Sequence, residues 1–235
     1  MEIVKEFSRF AYEYNKYNVI QKEVAKRLAS YVPKGFYNKI LDLGSGDGAI
    51  YHTLNHNNDI KFNSFVAFDF SKEMLEIHPT NKHIEKVCKD FNQLDSFSMF
   101  KKYEFDLLIS SSALQWSSNL FSLLTTIAPI ANRHYFAFFT SNTFKTLHKT
   151  ADISSPIYSR EELIDTLDKV FKYEMEIVEY TLEFNSVYEM LKYIKRSGIG
   201  GGVKPLSYKQ TKNLLESYPL EYLEFEVLFV KVIST

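Results

Sequence analysis

The chain has 235 residues, 45% of them apolar and 24% charged, with a formal net charge of −1. This length admits one large domain or two small ones, and the composition excludes wholesale disorder. Near-neutrality excludes bulk attraction to nucleic acid, and the lone cysteine, Cys88, excludes an internal disulfide or a multi-cysteine metal site.

The first 37 residues read as helical, with Phe10, Tyr14, Tyr17, Gln21 and Val24 recurring at three- and four-residue spacing before Pro33 and Gly35. This opening is polar and aromatic, without the apolar core of a signal peptide, and nothing later approaches the uninterrupted run of a spanning helix. A cytoplasmic protein that touches no membrane is expected. Short apolar runs then alternate with helical segments. Strands are expected at 39–44, 63–70, 84–90, 105–111 and 134–140, with helices at 47–57, 71–77, 92–101 and 117–131. The runs lack strict polar alternation, which suits strands buried on both faces of a parallel sheet flanked by helices. Cys88, in the third run, is expected to be a buried thiol.

The tail differs. Ser159 and Glu162 form a capping box for a helix at 159–170. Segments 171–184 and 222–233 alternate apolar residues with Glu or Lys, as antiparallel strands more exposed than the central ones do. Residues 185–216 form a helical insert broken at Gly198–Gly202 and Pro205. The expected organisation is one domain: an N-terminal helical cap (1–37), a core (38–184), a helical lid (185–216) and a final strand (217–235).

The most informative segment is Asp42-Leu43-Gly44-Ser45-Gly46-Asp47-Gly48, a strand end and a glycine turn before a helix. Gly44-x-Gly46-x-x-Ala49 meets the relaxed dinucleotide fingerprint, whereas Asp42-x-Gly44-x-Gly46-x-Gly48 matches the loop of class I S-adenosylmethionine methyltransferases. Charge separates the two. A pyrophosphate needs a helix N-terminus free of anions, and Asp42 and Asp47 surround this one. A sulfonium and an ammonium are favoured by the same carboxylates. Asp69, ending the second strand, is placed to accept from ribose hydroxyls, with Phe70 and Met74 beside adenine. Asp90 and Phe91, after the third strand, are placed at the adenine edge. Asp42, Asp69 and Asp90 all fall at the carboxyl edge of the sheet, where such folds bind ligands.

Further islands narrow the resemblance. Ser110-Ser111-Ser112-Ala113-Leu114-Gln115-Trp116 resembles the end of the fourth strand in malonyl-acyl carrier protein O-methyltransferases of biotin synthesis. Phe7-Ser8-Arg9-x-Ala11-x-x-Tyr14 with Gln21 is similar to that family's first helix, and Leu191-x-x-Ile194-Lys195-x-x-Gly198 with Tyr218-Pro219-Leu220-x-Tyr222 to its lid and last strand. Ser45 stands where many methyltransferases carry Cys. The resemblance implies a Rossmann-like class I methyltransferase fold: an α/β, mostly parallel seven-stranded sheet with an antiparallel C-terminal strand. It implies S-adenosyl-L-methionine as methyl donor, S-adenosyl-L-homocysteine as product, no metal, and malonyl on acyl carrier protein as acceptor.

The residues this reading assigns to the donor are Gln21, Asp42, Gly44, Ser45, Gly46, Gly48, Asp69, Phe70, Met74, Asp90, Phe91 and Ser110. Tyr14, Gln115, Trp116 and Lys195 are expected around the reacting groups, with Lys195 as the cation for the acceptor carboxylate. Lys192, Lys195, Arg196, Lys204, Lys209 and Lys212 form a basic cluster suited to an acidic carrier. His148 is expected to be structural.

Overall fold

The structure is a computed structural model, and it describes residues 17–197 and 206–234. Tyr14, the glycine run of the lid and Lys204 lie outside those residues. Seven strands form one sheet in the order β3-β2-β1-β4-β5-β7-β6. They are β1 (Gly35–Leu43), β2 (Ile60–Asp69), β3 (Ile84–Cys88), β4 (Leu107–Ser111), β5 (His134–Phe139), β6 (Lys172–Glu183) and β7 (Tyr222–Ser234). The first five pair in parallel, and β7 pairs antiparallel to both β5 and β6.

Alternation along each strand sorts side chains into two cores. Ile40, Phe65, Ala67, Leu107, Ile109 and Phe139 point to one face, and Leu41, Leu43, Val66, Phe68, Leu108 and Phe138 to the other. The first face is covered by α1 (Val19–Ser30) and α2 (Ala49–His56), with Val24, Leu28, Ile50 and Leu54 fully or almost fully buried. The second is covered by α4 (Leu120–Ile127) and α6 (Arg160–Leu167), through Leu120, Leu124, Leu163 and Leu167. The remaining helices are α3 (Lys72–Ile77), α5 (Lys145–Ala151), α7 (Val187–Ser197) and α8 (Tyr208–Ser217).

Four expectations need correction. Cys88 is exposed, because it ends an edge strand whose side chains are only partly covered. The last strand is an inner strand: β7 lies between β5 and β6, and Glu226 within it is buried because Thr140, Asn142 and Arg160 bind its carboxylate. Its alternation reflects paired charges rather than solvent. Segment 92–101 holds only a four-residue 3₁₀ turn, Leu94–Phe97. There Asp90 accepts from the Asn92 amide at 2.8 Å, one of the local side-chain bonds that compete with a helix. Helix α5 was not anticipated. Its first turn is held by Glu224 of β7, which accepts from the Thr146 amide and hydroxyl, a cap invisible in local sequence.

Candidate functional site

The chain runs β1, β2, β3 outward, then returns to place β4 against the other edge of β1. The two crossovers therefore diverge at the carboxyl ends of β1 and β4, the switch point at which open α/β sheets form a ligand crevice. A cleft lies there, bordered by the ends of β1, β2 and β4 and by the first turn of α1.

The glycine turn shapes its floor. Gly44 has φ +78°, and a Cβ there would lie 2.2 Å from the Ala113 Cβ, so the β1 turn and the post-β4 turn touch only because Gly44 has no side chain. Asp69 organises the same turn. Its carboxylate accepts from the Gly46 amide at 2.9 Å and from the Ser71 amide at 2.9 Å. Burial still raises its pKa to about 6, against the lowering effect of those amides. Ser71, not Asp69, caps α3, accepting from the Met74 amide.

Asp42 is the pronounced anomaly. It is 1% exposed, and among the described residues neither carboxylate oxygen has a hydrogen-bond partner. Burial first, then the charges of Asp69 and Asp47, hold its pKa well above the ordinary carboxylate range. Asp47 is also shifted upward by burial, opposed by the Lys22 charge and by Asn18, whose side-chain amide donates to it at 2.8 Å. Three carboxylates thus converge on one crevice, one of them unpartnered. Buried anions of this kind call for a cation or a set of donors from a ligand. A sulfonium and ammonium fit; a pyrophosphate does not.

The expected residues divide cleanly. Gln21, Asp42, Gly44, Ser45, Gly46, Asp69, Phe70, Met74, Phe91 and Trp116 all line the cleft. Gly48 does not. It starts α2 at φ +91°, where a Cβ would lie 2.7 Å from Pro79. Asp90 faces an adjoining shallow groove that also borders Phe70. Ser110 donates to the Leu43 carbonyl at 2.6 Å, tying the ends of β4 and β1 behind the cleft. Gln115 is buried and donates to the Ser112 carbonyl at 2.8 Å, which shapes the turn without reaching the cleft. Lys195 is exposed on α7 and is absent from the lining, so the side of the lid helix it occupies points to solvent. Arg196 instead donates to the Tyr17 hydroxyl at 2.9 Å. His148 is buried with its pKa lowered by burial, as a structural histidine is.

Sequence reasoning missed Asn18, Ser111 and Ser112 as lining residues. Asn18 carried a signal only in its position, one helical turn before Gln21 on the same face. No group of His, Cys, Asp and Glu among the described residues is arranged to hold a metal ion, and no described helix is long and apolar enough to cross a membrane.

Comparison with known proteins agrees with this geometry. A family model described as a methyltransferase domain matches residues 41–133, the stretch carrying the glycine turn, Asp69 and the post-β4 turn. A malonyl-[acyl-carrier protein] O-methyltransferase of Bacillus cytotoxicus is 26% identical over 224 residues, covering 83% of this chain and 74% of the relative. Among solved structures, the YcgJ protein of Bacillus subtilis superposes with a TM-score of 0.66 at 12% identity, covering 91% of this chain and 99% of that one. A Haemonchus contortus phosphoethanolamine N-methyltransferase bound to S-adenosylhomocysteine superposes with a TM-score of 0.54 at 13% identity, covering 92% of this chain and 53% of that one. The fold is that of class I methyltransferases.

Proposed function

We propose that this S-adenosylmethionine-dependent O-methyltransferase esterifies, in the cytoplasm, the free carboxylate of a malonyl group carried on acyl carrier protein. The observation that carries the donor is Asp42, buried at the switch point with both oxygens unpartnered among the described residues. Support for the acceptor is the resemblance, over most of the chain, to proteins named for that reaction.

When bound, S-adenosylmethionine supplies a methyl group activated by a sulfonium. The chain's own residues hold and orient. Asp42 and Asp47 offer negative charge to the cationic part of the donor, while Asp69, fixed by the Gly46 and Ser71 amides, retains lone pairs for hydroxyl donors. Phe70, Met74 and Phe91 provide apolar walls for a flat ring system. Trp116, at the mouth of the cleft and packed against both cores, excludes water from the meeting point. A malonyl carboxyl group titrates near pH 4 and is ionised at neutral pH, so the reaction calls for neither a general base nor a metal. What remains is alignment and a dry site in which opposite charges cancel, and orientation alone can contribute on the order of 7–11 kcal/mol. Lys192, Lys195 and Lys209, exposed on α7 and α8, suit the approach of an acidic carrier.

The test is a methyl-transfer assay comparing malonyl-carrier, malonyl-coenzyme A and free malonate. Malonyl-carrier should gain one methyl group per malonyl and free malonate almost none. Methylation of a different carboxylate, with no mass gain on malonyl-carrier, would reassign the acceptor.

A further inference from the structure

The orphan polar atoms of the cleft are of two kinds, pure acceptors and hydroxyls. Those of Asn18, Gln21 and Asp42 can only accept. Asn18 donates its amide hydrogen to Asp47 at 2.8 Å and Gln21 donates its own to the Ser197 carbonyl at 2.9 Å. That leaves Asn18 Oδ1, Gln21 Oε1 and both Asp42 oxygens buried without partners among the described residues. The others are hydroxyls: Ser45 Oγ in the glycine turn, and Ser111 Oγ and Ser112 Oγ together at the end of β4, all buried and likewise unpartnered among the described residues. A hydroxyl can donate; a carboxylate or amide oxygen cannot.

Ser112 is also built into place. Its φ of +59° is a left-handed conformation that a serine rarely adopts. Two bonds hold it there. Its amide donates to the Ala137 carbonyl at 2.8 Å, and its carbonyl accepts from the Gln115 side chain at 2.8 Å. Both backbone groups are engaged in fixing the residue, and only the hydroxyl is left over. Strain held by neighbours beside a crevice is a feature of ligand-contacting positions. Gln115 thereby helps to hold the Ser112 backbone in this conformation.

We infer that Ser111 and Ser112 form a carboxylate subsite at the end of β4, with their two hydroxyls donating to one ligand carboxylate. This rests on the reading of the cleft as the seat of a cationic methyl donor. Two carboxylates could occupy the subsite, that of the donor's amino-acid moiety or that of the acceptor. In either case the carboxylates of the cleft take the cation and the paired serine hydroxyls the anion.

Ser112→Gly provides the test, because glycine accepts φ +59° without strain. The variant should fold at least as stably as the parent while losing the hydroxyl. Calorimetry would compare S-adenosylhomocysteine with 5′-methylthioadenosine, which lacks the amino-acid moiety. Kinetics would give the KM of the malonyl-carrier at saturating donor. If the donor's carboxylate sits there, S-adenosylhomocysteine affinity falls about tenfold, the effect of one hydrogen bond to a charged group, while methylthioadenosine affinity is unchanged. If the acceptor's carboxylate sits there, the carrier KM rises by a similar factor and the affinity for S-adenosylhomocysteine holds. Unchanged values in every arm, for both Ser112→Gly and Ser111→Ala, would overturn the subsite. Failure of the parent protein to methylate malonyl-carrier would sink the acceptor reading alone, since the calorimetric arm needs no acceptor.

Discussion

Asp42 and Asp69 set the terms for the cofactor-free protein, because each keeps a carboxylate where water is absent. A carboxyl whose pKa is raised by folding favours the folded state when protonated, so its contribution is present below pH 3.8 and is lost as pH rises to about 6 for Asp69. His78 and His134 act the other way. Burial lowers both to about 4, so their contribution is present above pH 6.5 and is lost as the solution is acidified toward 4. Each of these shifts is worth about 3 kcal/mol, and Asp42 and Asp47 are shifted in the same direction as Asp69. On acidification from pH 6.5 to 4 the histidines should therefore lose stability, with Asp69, Asp42 and Asp47 offsetting the loss. Asp69→Asn removes its share of the offset, and urea midpoints should fall relative to those of the parent as pH is lowered across that range. Parallel profiles would show that Asp69 carries no such shift. Asp42→Asn tests the same wall at fixed pH. It should raise the melting temperature of the cofactor-free protein while weakening S-adenosylmethionine binding, the trade expected of a functional buried charge. At this scale the acidic strand ends were legible in the sequence, since a carboxylate after an apolar run has few other places to go. The unpartnered state of Asp42, and the turning of Asp90 into a neighbouring groove, depend on what surrounds them.

Among the elements, α7 is joined to α1 and to the residues just before it by two contacts spanning more than 170 residues of sequence: Gln21 to the Ser197 carbonyl and Arg196 to the Tyr17 hydroxyl. Gln21 was expected to serve the ligand; it lines the cleft, its amide donates to the C-terminal end of the lid helix, and its oxygen is buried without a partner among the described residues. Gln21→Ala should cost about 1 kcal/mol of stability, the net value of a typical hydrogen bond. Its amide hydrogen exchange should quicken in α7 before it does in α4, which lies on the opposite face. Uniform acceleration would mean the bond does not anchor the lid. Local patterns did predict several elements. The capping box at Ser159 and Glu162 is present, because both partners are four residues or fewer apart. Helix α5 escaped notice because the groups that hold its first turn come from β7.

Across the whole molecule, a positively charged ligand should stabilise the fold more than a phosphate-bearing one of equal size. Differential scanning fluorimetry should show a melting temperature raised by S-adenosylmethionine and little changed by NAD; at a ligand concentration about 100 times Kd the gain is about 2.7 kcal/mol. A larger rise with NAD would reverse the polarity assigned to the cleft. The sequence alone determined that a doubly wound sheet forms, because strand burial on two faces is written in continuous apolar runs. It also placed Asp42, Gly44 and Asp69 at one edge, because they follow those runs directly. Only the tertiary structure decided which polar atoms of the cleft are left without a partner. That property depends on which donors the fold has already engaged: Asn18 with Asp47, Gln21 with Ser197, and the Ser112 backbone with Ala137 and Gln115. Except for Ser112 and Gln115, these partners are far apart along the chain and meet only once the sheet has formed.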